Sequence, residues 1–157
     1  MKKRHFVLIS LIATFGLLQI SETGLAQGKK SDSVVKAEIK AGRPGGDGKQ
    51  ELAVTLTIDP KYHIYANPVG NEDFSSNQTT LSVTGKSTDE VKVEYPEGVT
   101  KKDGIVGDYK IYHGKVTLKA LVQRGAGGNS PLEVKVKIQA CSDKTCLMPA
   151  TITLMVP

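Results

Sequence analysis

The stretch Leu132-Glu133-Val134-Lys135-Val136-Lys137-Ile138 alternates apolar and charged side chains without interruption. Successive side chains of an extended strand point to opposite faces, so a strand here would place its apolar residues on one face and its charges on the other. Such alternation is typical of antiparallel sheets with one buried face and one solvated face. The stretch therefore predicts a half-buried strand over 132–138.

Other parts of the chain repeat this pattern, and turn-forming Gly, Pro, Asn and Asp residues separate them. No helix-period segment of useful length follows position 26, so the repeated strands favour an all-β fold. We expect an immunoglobulin-like antiparallel β-sandwich of seven to eight strands. Three long alternating segments and four shorter apolar runs carry this prediction: 35–41, 52–58, 116–122, then 62–65, 81–83, 91–95 and 152–156.

The first residues of the chain have the pattern of a secretory signal peptide. Basic residues at positions 2–4 precede an apolar run over 6–18, and a small-residue site follows at 24–26. We therefore assign 1–26 to a signal peptide, 27–33 to a flexible polar leader and 34–157 to the β-sandwich domain. The prediction places the protein in the periplasm or another extracytoplasmic space, without an integral membrane segment in the mature chain.

Composition sets further limits on function. The chain has 157 residues and a net charge of +5, which falls to +3 when the three basic residues and Glu22 of the predicted signal peptide are removed. So small a basic excess does not indicate a nucleic-acid partner. A single domain of this size can bury enough surface to fold as a monomer, which is the expected state. Export would take the two cysteines out of the reducing cytosol, where a disulfide can form.

Both cysteines lie in Cys141-Ser142-Asp143-Lys144-Thr145-Cys146, between a predicted strand that ends at Ala140 and one that begins near Thr151. On one straight strand their side chains would point to opposite faces, so a bridge requires a turn between them. A bridge at a hairpin neck closes a small ring and contributes roughly 2 kcal/mol by loop entropy. An exposed hairpin also suits thiol exchange, so spacing alone leaves a structural bridge and a redox-active pair equally open.

A zinc or copper site is a third possibility for the cysteines. His63, His113 or Met148 could complete it, but the sequence holds no second cysteine pair and no His-x-x-x-His motif. We therefore expect no metal and no other cofactor. If the bridge is inert, the alternative function is a secreted β-sandwich binding module.

Three segments give the chain a resemblance to a known family. They are Gln139-Ala140-Cys141-Ser142-Asp143-Lys144-Thr145-Cys146-Leu147-Met148-Pro149, His63-Ile64-Tyr65-Ala66-Asn67-Pro68 and Gly107-Asp108-Tyr109-Lys110-Ile111-Tyr112-His113-Gly114. In this order they resemble the amino-terminal periplasmic domain of the thiol:disulfide interchange protein DsbD. The resemblance implies a protein-disulfide reductase component that takes electrons from a membrane-bound thiol reductant. It would pass them to oxidised thioredoxin-like extracytoplasmic proteins, such as disulfide isomerases or cytochrome c maturation factors.

The resemblance also implies roles for individual residues. Cys146 matches the cysteine that forms the mixed disulfide with partners, and Cys141 matches the one that resolves it. Tyr65 matches an aromatic residue that lines the site, and His63 stands at a position where the resemblance implies a Tyr in relatives.

Residues 102–107 match a cap loop over the cysteines. The best-known members carry an acidic pair and a shielding Phe there, whereas this chain offers Asp103 as the acid and Ile105 as the cover. We therefore expect poorer shielding than a Phe would give. On this basis Cys146 would react once a partner displaces the Ile105 loop.

Overall fold

A computed structural model describes residues 28–86, 88–125 and 130–157. The predicted signal peptide lies outside these residues. Within them the chain forms two short 3-10 helices, Ser31–Ser33 and Glu72–Asn77, and eleven strands. The strands are β1 (Val35–Ala41), β2 (Lys49–Ile58), β3 (His63–Tyr65), β4 (Thr80–Thr84), β5 (Thr88–Glu94), β6 (Val99–Lys101), β7 (Tyr109–Tyr112), β8 (Lys115–Arg124), β9 (Leu132–Ile138), β10 (Ala140–Cys141) and β11 (Ala150–Val156). No helix in the described part of the chain is long and apolar enough to cross a membrane.

Seven strands of five or more residues form two antiparallel sheets. One sheet has the order β1-β2-β8-β5 and the other the order β11-β9-β4. Taken in chain order, the seven strands correspond to A–G of a constant-type immunoglobulin domain, whose sheets are ABED and CFG. The predicted immunoglobulin-like sandwich is therefore confirmed.

The alternating stretches supply the core between these sheets. All four apolar residues of β9 are at most 1% exposed, and the apolar positions of β2 and β8 face them from the other sheet. The charged positions of β9 alternate with them and lie on the outer face, as the pattern predicted. Burial of this one face of each sheet is the main source of the fold's stability.

A third sheet of short strands, in the order β10-β3-β7-β6, carries the cysteine segment. The sequence predicted β3, but β6, β7 and the separate two-residue β10 are too short to show a period. β10 pairs with β3, which sets Ala140 opposite Ile64 and Cys141 opposite His63. The long strands of the sandwich thus lead directly into a small sheet that holds the first cysteine.

The polar segment before β1 belongs to the fold, which corrects the prediction of a flexible leader for its described part. Lys30 forms a bridge with Met148, and Ser31 is fully buried. The segment is fixed because polar groups beside the cysteine hairpin need hydrogen-bond partners and Ser31 supplies them. A polar composition could not reveal this, since the partners are more than 100 residues away.

Candidate functional site

Cys141 and Cys146 are joined by a disulfide across the neck of a tight hairpin, with their Cα atoms 3.9 Å apart. The Ser142 amide donates a hydrogen bond to the Thr145 carbonyl at 2.8 Å, and the Leu147 amide donates to the Ala140 carbonyl at 2.8 Å. The Ser142 hydroxyl also accepts a hydrogen bond from the Thr145 amide, which closes the loop between the cysteines. The chain therefore turns between the two cysteines, as the predicted hairpin requires.

The two cysteines differ sharply in accessibility. Cys141 is 2% exposed, because β10 places it against β3 and an aromatic cluster, whereas Cys146 lies on the exposed side of the hairpin. Cys146 is open to solvent, while Cys141 is covered. In an exchange reaction this asymmetry would make Cys146 the attacked sulfur and Cys141 the leaving group.

Aromatic side chains surround the buried cysteine. Tyr65 and Phe74 stack with ring centroids 5.2 Å apart, and Tyr109 lies 5.8 Å from Tyr65 and 4.8 Å from Phe74. Tyr65, Tyr109 and Val69 form one buried cluster with Cys141, and the half-buried Phe74 packs against this cluster. The Tyr65 hydroxyl lies 3.7 Å from the Cys141 Sγ, and burial, with the neighbouring Tyr109 second, raises the pKa of the Tyr65 hydroxyl. The Tyr65 hydroxyl therefore stays protonated and can donate a hydrogen bond to the Cys141 sulfur.

His63 lies beside the hairpin, opposite Cys141 in the β3–β10 pairing and 8% exposed. Burial lowers the pKa of His63, and the positive charge of Lys101 lowers it further, while the Asp143 carboxylate acts in the opposite direction. Lys101 on β6 also lies 3.5 Å from the Asp143 carboxylate in the hairpin loop. The charged side chains near the disulfide thus come from two places: Lys101 from β6 and Asp143 from the loop that joins the cysteines.

Asp103 does not hydrogen-bond to the cysteine hairpin in the described structure. Its carboxylate accepts hydrogen bonds from the amides of Ile105 and Val106, at 2.9 and 3.1 Å, and these bonds lower the pKa of the Asp103 carboxyl. The Asn71 side-chain amide donates to the Val106 carbonyl at 2.9 Å and holds the loop from the other side. In this arrangement the Asp103 side chain therefore holds the turn of its own loop, 102–107.

The predicted cover by Ile105 is wrong for this structure. Its side chain is 95% exposed, because the turn fixed by Asp103 directs it into solvent. The exposed Cys146 therefore needs no displacement of Ile105 before a thiolate can reach it. The aromatic bulk near the disulfide comes instead from Tyr65 and Tyr109, which share a buried cluster with Cys141, and Phe74 packs against that cluster.

Sequence reasoning missed two residues of the site. Phe74 is the only Phe after the predicted leader and stands alone in the polar stretch Glu72–Asn77, which is a signal that could have marked it. Ser31 gave no such signal, because a buried hydroxyl is recognised only by its tertiary partners. Among the described residues, no group of three or more His, Cys, Asp or Glu is placed to hold a metal ion.

The structure thus defines an immunoglobulin-like domain that presents an unequally exposed disulfide at one end. Residues 32–156 match the family described as thiol:disulfide interchange protein DsbD, N-terminal. The chain belongs to this family, as its three resembling segments indicated. The comparison with curated proteins found no match.

Two solved structures share the fold at low sequence identity. The N-terminal periplasmic domain of ScsB from Proteus mirabilis is 14% identical, with a TM-score of 0.57 over 78% of this chain and 46% of that one. This chain therefore spans less than half of that structure. The complex between the DsbD N-terminal and PilB N-terminal domains from Neisseria meningitidis gives 14% identity and a TM-score of 0.52, over 77% of this chain and 80% of that one.

Proposed function

We propose that this chain is an extracytoplasmic thiol-disulfide exchange module that carries two electrons on Cys141 and Cys146. It takes them from a membrane-bound thiol reductant and passes them to oxidised thioredoxin-like proteins. The observation that carries the proposal is the exposure of Cys146 beside a Cys141 that is 2% exposed. Membership of the DsbD N-terminal family supports the same chemistry.

Reduction of the module begins with a donor thiolate that attacks the Cys146 sulfur. The donor–Cys146 bond forms, the Cys141–Cys146 bond breaks, and Cys141 leaves as a thiolate that then takes a proton. The second thiolate of the donor attacks the donor sulfur of this mixed disulfide and releases Cys146. The donor is left with a disulfide, and the module holds both electrons as a dithiol.

Reduction of a client runs in the opposite direction. The Cys146 thiolate attacks one sulfur of the client disulfide, and the other client sulfur leaves as a thiolate. Cys141 then attacks the Cys146 sulfur, which restores the intramolecular bridge and releases the fully reduced client. Sulfur carries both electrons throughout these steps.

The nature of the partner and the location rest on two observations. One matched structure is a complex of a DsbD N-terminal domain with another protein domain, which supports a protein client. The predicted signal peptide, together with the periplasmic origin named for the ScsB domain, supports an extracytoplasmic site of action.

The test is capture of a client on a variant that cannot resolve the mixed disulfide. We expect Cys141→Ala to form a covalent adduct with an oxidised extracytoplasmic thioredoxin-like protein, because Cys146 remains exposed and the module has no second thiol to resolve the mixed disulfide. Cys146→Ala, the matched control, should form none, since its remaining thiol is covered.

The reduction potential supplies the second measurement. A shuttle should equilibrate with other thiol carriers, whereas a structural bridge lies below about −300 mV. If no adduct forms and the bridge resists dithiol donors, the module is a binding domain with an inert disulfide.

A further inference from the structure

We infer that Ser31 is a positioning residue that sets the reduction potential of the disulfide. This inference rests on the proposed function, because it concerns the same cysteine pair. Ser31 is fully buried, and its hydrogen bonds reach both sides of the cysteine hairpin. We call this set of hydrogen bonds the Ser31 clasp.

The clasp connects the residue before Cys141 with the residue two positions after Cys146. The Ala140 amide donates to the Ser31 Oγ at 2.9 Å, and the Ser31 hydroxyl donates to the Met148 carbonyl at 2.8 Å. The Ser31 amide donates to the same Met148 carbonyl at 2.9 Å. One side chain therefore joins the two arms of the hairpin through residues that flank the cysteine loop.

The neighbouring backbone strengthens this arrangement. The Met148 amide donates to the Lys29 carbonyl at 3.1 Å, and Lys30 is paired with Met148 in a parallel bridge. The segment before β1 is thus fixed to the arm that carries Cys146. Its position next to the hairpin does not depend on the Ser31 hydroxyl alone, which makes a single-atom substitution a meaningful test.

The clasp matters most when the disulfide is open. In the oxidised protein the sulfur–sulfur bond already joins the two arms, so loss of the hydroxyl cannot let them separate. In the reduced protein only hydrogen bonds and packing hold Cys141 near Cys146, and these determine the effective concentration of one thiol at the other. Without the hydroxyl the reduced arms keep the Ser142–Thr145 and Leu147–Ala140 backbone bonds but lose the cross-link through Ser31. They can then gain conformational entropy and expose the Ala140 amide to water. The dithiol is then favoured over the disulfide.

The test is the dithiol–disulfide equilibrium of the protein in glutathione buffers. The protein is expressed from its full sequence, including the predicted signal peptide. We expect Ser31→Ala to lower the equilibrium constant for disulfide formation about tenfold, which corresponds to a potential about 30 mV more positive. Ser33→Ala is the matched control, because its exposed hydroxyl donates only to the nearby Lys30 carbonyl. A Ser31→Ala change no larger than that of Ser33→Ala would overturn the inference, since a purely structural role would destabilise both redox states equally.

Hydrogen exchange of the unmodified protein gives an independent check if Ser31→Ala does not fold. The Ala140 amide should stay protected after reduction, because the clasp persists when the disulfide opens. Exchange at the rate of an unstructured amide in the reduced protein would contradict the inference. The glutathione measurement needs no protein client, so the two proposals can fail separately. A potential shifted by Ser31→Ala, without client capture by Cys141→Ala, would refute only the proposed function. Client capture by Cys141→Ala, without a shift for Ser31→Ala, would refute only the role of Ser31.

Discussion

The Tyr65 hydroxyl lies 3.7 Å from the Sγ of Cys141, the buried cysteine of the disulfide. A disulfide sulfur carries no proton, so the hydroxyl is the donor in this contact. Burial raises the pKa of Tyr65, which keeps that proton in place. When a donor thiolate attacks Cys146, the charge that develops on the departing Cys141 appears next to a protonated hydroxyl.

Tyr65→Phe should therefore slow reduction of the bridge by dithiothreitol. A hydrogen bond to a charged group contributes about 1.5–3 kcal/mol, and the long oxygen–sulfur distance places this one at the lower end. We expect a rate about tenfold lower, because the Cys141 thiolate becomes a poorer leaving group. Stopped-flow measurement of the oxidised protein at fixed dithiothreitol concentration gives this rate.

Tyr109→Phe is the matched control for this prediction. Tyr109 belongs to the same aromatic cluster, but among the described residues its hydroxyl makes no hydrogen bond to a cysteine sulfur. Equal rates for Tyr65→Phe and the unmodified protein would show that the hydroxyl does not assist departure of Cys141.

Phe74 is expected to stabilise the site through packing. It stacks on Tyr65 with an interplanar angle of 20° and also contacts Tyr109, although the residue itself is only half-buried. Phe74→Ala should lower the free energy of unfolding by about 1–3 kcal/mol, through lost apolar burial and lost aromatic pairing. Urea denaturation of the oxidised protein measures this change. Phe74→Leu retains apolar bulk and should lose about half as much; equal losses for both variants would mean that ring stacking contributes most of the effect.

The sandwich was predictable because its long strands repeat one simple pattern. Every second residue of β9 is buried, so the alternation of Leu132, Val134 and Val136 with charges predicts both the strand and its inner face. The hairpin between Cys141 and Cys146 was predictable as well, since a bridge over this spacing demands a turn. These features depend on residues close together in the chain.

The surroundings of the disulfide depend on contacts between distant segments, and here sequence alone was insufficient. Ser31 contacts residues more than 100 positions away, and Phe74 packs against the cluster that contains Cys141, which lies 67 positions further along the chain. The expected cover by Ile105 assumed that a loop at the right place also points the right way. The hydrogen bonds that Asp103 accepts from its own loop decide that direction, and they turn Ile105 into solvent.

Ile105→Ala should consequently change little. A side chain that is 95% exposed contributes few packing contacts, so we expect the free energy of unfolding to stay within about 0.5 kcal/mol of the unmodified protein. The rate of reduction by dithiothreitol should also be unchanged, because Ile105 does not cover Cys146. A several-fold faster reduction of Ile105→Ala would contradict this prediction and show that Ile105 shields the disulfide. If Asp103→Ala then left the rate unchanged, the shielding conformation of the loop would not depend on the Asp103 hydrogen bonds.

His63 should make the stability of the protein depend on pH. Burial and the charge of Lys101 lower the pKa of His63 below its ordinary value of 6.5, against the opposing effect of Asp143. The unfolded chain therefore binds a proton near pH 6.5 that the folded protein still excludes. The free energy of unfolding should be unaffected by this group above about pH 7.5 and should fall as the pH is lowered through 6.5 toward the folded pKa.

The pH effect can be assigned with two histidine variants. Urea denaturation between pH 5 and pH 8 should show a smaller loss of stability at acidic pH for His63→Gln than for the unmodified protein, because Gln does not titrate. His113→Gln is the control and should retain most of the loss, because His113 is exposed and its charge makes the smallest of the four contributions to the lowered pKa of His63. NMR titration of His63 gives its pKa directly, and Asp143→Asn should lower that pKa further by removing the opposing carboxylate. A His63 that titrates at or above 6.5 in the folded protein would contradict this account.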